Sequence, residues 1–136
     1  MSAPDMPSHG TGRCLCKRIR YRWSALPLWA GHCHCDTCRR NCSAPFTSFF
    51  AIADGFWAWT GDEPALYQSN PGRYRYFCPT CGTPMAYRSD DQPGEIHFYA
   101  ASMDDPEQYR AQRSFHRRQR LSWIELPEDS IGKKGK

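Results

Sequence analysis

Eight cysteines in 136 residues, set out in order as C-x-C, C-x-C-x-x-C-x-x-x-C and C-x-x-C, constrain this chain more than any other feature. They stand at Cys14 and Cys16, at Cys33, Cys35, Cys38 and Cys42, and at Cys78 and Cys81. Secreted disulfide scaffolds scatter their cysteines; tight pairs such as these read as metal ligands. The segment Met1 to Gly12 carries Pro4, Asp5 and Pro7 and has no apolar run, so it is not expected to act as an export signal. A reducing, cytoplasmic setting is therefore expected, in which thiols persist. No stretch approaches the roughly 20 apolar residues that cross a bilayer.

Zinc sites commonly use two ligand pairs, each on its own turn, which the fold brings together. Cys14 with Cys16 and Cys78 with Cys81 fit that scheme, because each pair borders a predicted strand. Four thiolates make a closed tetrahedral site that contributes directly to folding. Gly82 directly after Cys81 favours a knuckle in which backbone N–H groups point at sulfur. The middle group is different, with Cys33, Cys35 and Cys38 inside six residues. In an extended segment Cys33 and Cys35 point the same way, and a turn can bring Cys38 round, while His32 and His34 face away. Three protein ligands leave one zinc position open, the pattern of a catalytic site; the alternative is that this group completes a structural one. The formal charge is +4. Seven thiolates and two zinc ions reduce it to about +1, so the basic residues argue little for a nucleic-acid partner.

The chain length fits one compact domain. Aromatic residues are 14%, with 11 Pro and 10 Gly, which predicts a ring-filled core, many turns and no long helix. Ile19, Tyr21 and Trp23 alternate with Arg18, Arg20 and Arg22 as a half-buried strand does. Further strands are expected over residues 45–53, 65–69, 73–77, 84–88, 95–101 and 121–126. Residues 56–60 are expected to return in a hairpin through Asp54-Gly55. Asp36 to Asn41 suits one helical turn. Asp105 and Pro106 suit the start of a short helix. The expected organisation is a flexible leader over 1–11, a single zinc-binding domain over 12–127 and a basic tail over 128–136.

These motifs together resemble the glutathione-dependent formaldehyde-activating enzymes, a family that includes centromere protein V. The matching elements are Gly12-Arg13-Cys14-Leu15-Cys16 with Ile19-Arg20-Tyr21, and His32-Cys33-His34-Cys35-Asp36-Thr37-Cys38-Arg39. The loop from Ser69 to Arg73, Phe77-Cys78-Pro79-Thr80-Cys81-Gly82, Ser102-Met103-Asp104-Asp105-Pro106 and Trp123 complete the set. The resemblance implies a mainly β, Mss4-like zinc-stabilised domain. It implies a structural zinc on Cys14, Cys16, Cys78 and Cys81, and a second zinc on Cys33, Cys35 and Cys38. It also implies a carbon–sulfur lyase or carboligase that combines glutathione, as co-substrate, with formaldehyde into S-hydroxymethylglutathione. A small thiol and an aldehyde are the expected partners, rather than nucleic acid or membrane. Two alternatives remain: a zinc module that binds a protein or nucleic acid, and a related enzyme for another thiol or aldehyde. In one respect the chain departs from the family, which usually carries Gly four residues beyond the last cysteine of the middle group. Cys42 stands there, and as a possible fourth ligand it would close the second tetrahedron.

Other residues carry paired readings. Arg39 and Arg40 could balance a thiolate cluster, clamp a glutathione carboxylate, or be solvated charges. His97 and His116 read as structural or surface residues, and Trp57 and Trp59 as core. Arg73, Arg75, Arg117, Arg118 and Arg120 interleave with Tyr74, Tyr76, Phe115 and Trp123. Such a pattern can bind single strands, and edge-strand solvation explains it as well.

Overall fold

The computed structural model describes residues 3–125. In chain order its elements are β1 (Gly10–Arg13), β2 (Arg20–Trp23), β3 (Trp29–Cys33), α1 (Asp36–Cys42), β4 (Thr47–Ala53), β5 (Trp57–Trp59), β6 (Ala65–Asn70), β7 (Arg73–Phe77), β8 (Pro84–Ser89), β9 (Glu95–Tyr99) and β10 (Arg113–Phe115). Single 3₁₀ turns follow β9 and flank β10. Strands β1, β2 and β5 form one sheet in that order. The other sheet runs β10-β3-β4-β9-β8-β7-β6. Its pairs are antiparallel except β10 beside β3, which is parallel. The described residues are thus mainly β, in keeping with the Mss4-like class.

The alternation over residues 19–23 does what its period requires. Ile19, Tyr21 and Trp23 are buried, and Arg20 and Arg22 are exposed. Tyr21 stacks on Phe98 at 4.1 Å, and Trp23 meets Phe50 at 4.8 Å, so rings fill the space between the two sheets. Trp57 and Trp59 stand edge-on to Phe98 and close the flank of this core, as expected of packing residues. In β4 and β9, Phe50, Ile52, Ile96 and Phe98 point into it. The intervening residues Phe49 and Tyr99 point to the opposite face, where Cys33 and Cys38 join them in a second packed cluster. Both faces of β4 are therefore covered, which explains its unbroken apolar run.

Several expectations need correction. Asp54-Gly55 does turn the chain, with Gly55 at φ +92°, but β5 does not return along β4. It crosses to the smaller sheet and pairs with β2, placing Trp59 opposite Tyr21 and Trp57 opposite Trp23. The leader expected over 1–11 contributes to the fold from residue 10 onward as β1, and Met6 is buried in the main core. Asp105 does not cap a helix: residues 106–108 make one 3₁₀ turn with no side-chain cap. The neighbouring Asp104 instead accepts from the Thr11 hydroxyl at 2.7 Å, tying this turn to β1. Residues 121–125 form no strand; the edge beside β3 is taken by β10, which residue patterning had not revealed. Leu126 and the expected tail over 128–136 lie outside the described residues.

Candidate metal centres

The first cysteine group is assembled by two matching loops. Cys14 N–H donates to the Ile19 carbonyl and Cys78 N–H to the Thr83 carbonyl, so each loop closes on its own strand. Lys17 at φ +75° and Gly82 at φ +84° supply the left-handed residue that each tight loop needs. The loops turn backbone donors onto sulfur. Ile19 N–H reaches Cys14 Sγ at 3.2 Å, and Thr80 and Cys81 N–H each reach Cys78 Sγ at 3.3 Å. The sulfurs of Cys14, Cys16, Cys78 and Cys81 lie within 4.8 Å of one another. Cys14 to Cys16 is 3.6 Å and Cys16 to Cys78 is 3.7 Å. A tetrahedron of sulfurs around zinc has edges of about 3.8 Å, from a Zn–S distance of about 2.3 Å, so the donor set fits that ion. The Thr83 hydroxyl, 3.1 Å from Cys81 Sγ, pulls the Cys81 thiol down to about 5.

The second group forms where β3 runs into α1. Cys33 ends β3, and Cys35 is the N-cap of α1, its sulfur accepting from Cys38 N–H at 3.3 Å. One helical turn then carries Cys38 back. Cys33, Cys35 and Cys38 have their sulfurs within 4.8 Å of one another, the arrangement that the C-x-C-x-x-C spacing predicts. Hydrogen bonds from Cys33 and then Cys38 pull the Cys35 thiol far below the ordinary range, and the same contacts push Cys33 up. The thiolate is thus favoured at Cys35, between two further sulfurs, and three soft donors suit zinc.

Cys42 is the last residue of α1, one turn beyond Cys38. Its sulfur is outside the group of three. It faces Asn41 and Tyr99, and burial pushes its thiol up. It lines a cavity of about 680 Å³ bounded also by Phe46, Thr47, Tyr99, Ser102 and Arg13. A second groove of about 500 Å³ shares Ala44 and Pro45 with it and is lined by Arg39, Arg40, Leu121 and Trp123. Arg39 donates to the His34 carbonyl at 3.2 Å, and Arg40 pairs with Asp36 at 3.0 Å.

The residue that motif reading missed is Arg75. The expected solvated edge does not exist there, because β7 lies between β6 and β8. Pairing places Arg75 opposite Tyr87, Tyr87 opposite His97 and His97 opposite Ala51, one row across the face that carries the second cluster. Arg75 is 4% exposed, and its Nη1 donates to Cys38 Sγ at 3.4 Å. Burial works against its charge, but the Cys38 sulfur outweighs that and the guanidinium stays protonated. Of the other arginines in that pattern, Arg73 pairs with Asp91 at 2.7 Å. His97 is buried against Glu95 at 2.6 Å and Trp29, a packing role, and neither it nor His116 belongs to a sulfur group.

Three comparisons bear on this arrangement. An uncharacterized lyase of Schizosaccharomyces pombe is 33% identical over 98 residues, which are 65% of this chain and 64% of that protein. The chain therefore spans a little under two thirds of that relative's length. The crystal structure of a Rhodobacter sphaeroides protein, a structural genomics target, superposes with a TM-score of 0.59 at 21% identity. It covers 69% of this chain and 87% of its own and attests the fold. Residues 9–119 match the profile of the family described as glutathione-dependent formaldehyde-activating enzyme, and the chain belongs to that family.

Proposed function

We propose that this protein is a zinc-dependent carbon–sulfur lyase and carboligase that joins a small thiol, glutathione, to formaldehyde and splits the adduct again. The observation that carries the reading is the group of three: Cys33, Cys35 and Cys38 converge, and the nearest further cysteine, Cys42, stays outside. Family membership and the lyase name of the yeast relative support the same class of reaction. Cys14, Cys16, Cys78 and Cys81 hold a structural zinc in this account. Cys33, Cys35 and Cys38 hold the second and leave one position for an external thiol. When bound there, zinc supplies Lewis acidity that lowers the pKa of a coordinating thiol.

The chain's own residues do the remaining work. The three cysteines fix the place at which the substrate sulfur is presented. Tyr99 and Cys42 belong both to the cavity wall and to the cluster around Cys33 and Cys38, so the cavity adjoins that place and takes the body of the thiol. Arg39 and Arg40 line the groove that shares Ala44 and Pro45 with it, and in this reading they meet a carboxylate of glutathione. In the forward direction the substrate thiol gives up its proton, its sulfur bonds to the carbonyl carbon as the C=O π pair moves to oxygen, and that oxygen takes up a proton to become a hydroxyl. In reverse the hydroxyl gives up its proton, the C=O bond re-forms as the C–S pair returns to sulfur, and the aldehyde leaves. The eight free thiols suit a reducing compartment, the cytoplasm. Metal analysis with a calorimetric glutathione titration tests the reading. Two zinc ions per chain and glutathione binding that disappears in Cys35→Ser are expected; a single zinc, or binding indifferent to that change, contradicts it.

A further inference from the structure

The two sulfur groups are solvated by the protein in different ways. Among the described residues, the hydrogen bonds that other residues give to the first group's sulfurs come from neutral donors: the amides of Ile19 and Thr80 and the Thr83 hydroxyl. The second group has a buried cation. Charged side chains are almost never fully buried unless paired, and the group that the Arg75 guanidinium meets is the Cys38 sulfur rather than a carboxylate. Besides Cys38, two side chains prepare its place. Its Nε donates to Ser69 Oγ at 3.2 Å. Its guanidinium lies over the Tyr87 ring at 4.4 Å. Ser69 itself sits in the bulge where the β6–β7 register shifts between Gln68 and Asn70, a distortion that aims a side chain the regular ladder would turn elsewhere.

We propose that Arg75 is a positioning residue for the thiol chemistry, acting through Cys38, with Ser69 holding it in register. This rests on the reading of the second group as a zinc site. Three thiolates around a divalent ion carry one net negative charge, and an incoming thiolate makes two. In a buried place each uncompensated charge is costly, and a guanidinium in contact with one of the sulfurs cancels one of them. The same N–H···S bond draws electron density from Cys38, which leaves a bound ion a stronger Lewis acid toward the substrate thiol. Four sulfurs at Cys14, Cys16, Cys78 and Cys81 would close a tetrahedron with no position for a substrate sulfur, so in this reading that group needs no such cation.

The test uses the full-length, zinc-loaded chain and the variants Arg75→Met, which keeps the packing volume, Arg75→Lys, which keeps the charge, and Ser69→Ala. Zinc is removed stepwise by a competing chelator, and cobalt-substituted protein is followed by its sulfur-to-metal charge-transfer band. Arg75→Met is expected to weaken the second zinc about 10- to 100-fold while the first is retained. The cobalt band is expected to move to lower energy, because Cys38 becomes more electron-rich. Arg75→Lys is expected to recover most of the affinity, and Ser69→Ala to give a smaller loss of the same kind. Wild-type affinity and an unmoved band in Arg75→Met overturn the inference. If Arg75→Met fails to fold, the other two variants decide, and both behaving as wild type overturns it. A wild-type chain that takes up one zinc overturns this inference and the proposed function together. Glutathione that fails to bind while the Arg75→Met effect persists overturns the function alone.

Discussion

Replacing Cys78 with Ser and Cys35 with Ser should have very different consequences for stability. Cys78 is fully buried, and the metal it shares would tie its loop to Cys16, 62 residues earlier. On the chain-entropy model a cross-link closing a loop of that length is worth about 4 kcal/mol, a large part of the roughly 5–15 kcal/mol that holds a domain folded. The unfolded chain cannot offer that ligand set, so the binding energy of the zinc counts toward folding. The second group spans six residues in sequence, and the unfolded chain can still chelate through it, which cancels much of its linkage to folding. At Cys35 a serine hydroxyl can also replace the sulfur as the N-cap that accepts from Cys38 N–H, so the fold should lose about 1 kcal/mol or less. Urea unfolding at fixed free zinc, followed by circular dichroism, measures both. Cys78→Ser is expected to lose about 4 kcal/mol or to remain unfolded, and Cys35→Ser to stay folded with one zinc. Equal losses in the two variants would refute the division into a structural and a functional site.

Other outcomes follow from particular contacts. Gly12→Ala would drive a Cβ into the Tyr21 ring, which is locked between Phe98 and the smaller sheet, and should cost about 2 kcal/mol or more in urea unfolding. Tyr109→Phe removes the hydroxyl that donates to the carbonyls of Gly31 and Phe49, pinning β3 to β4; a loss of about 1 kcal/mol is expected by the same assay. In zinc-loaded protein, alkylation with mass-spectrometric mapping should modify Cys42 ahead of the seven other cysteines. Because burial raises its pKa above the usual thiol range, the rate should climb with pH through and beyond that range. Single-stranded oligonucleotides should bind no tighter than about 1–100 μM at physiological salt, since Arg73 and Arg88 are paired with Asp91 and Asp54 and Arg75 is buried.

Strands with a strong period were legible from residues alone. Ile19, Tyr21 and Trp23 announced β2, and the cysteine spacings announced which sulfurs would meet, because a two-residue period and a single helical turn fix where neighbouring side chains point. What local patterns do not encode is which strand pairs with which. Phe56 to Thr60 looked like the return arm of a hairpin, yet ring packing of Trp57 and Trp59 against Tyr21 and Phe98 drew β5 to the other sheet. β10 is three residues long and carries two polar residues, so it had no signal of its own. Arg75 was hidden for a related reason. An arginine alternating with tyrosines reads as solvated until the sheet order places it in a central strand with a sulfur in reach.

The most direct test of the central claim is exchange spectroscopy on glutathione and ¹³C-formaldehyde at equilibrium, which reports how fast the S-hydroxymethyl adduct forms and splits. Zinc-loaded wild-type protein is expected to raise the exchange rate well above that of buffer, and Cys35→Ser, folded and retaining its first zinc, is expected to return it to the uncatalysed value. Exchange at the buffer rate in the wild type, or equal acceleration by Cys35→Ser, would contradict the account.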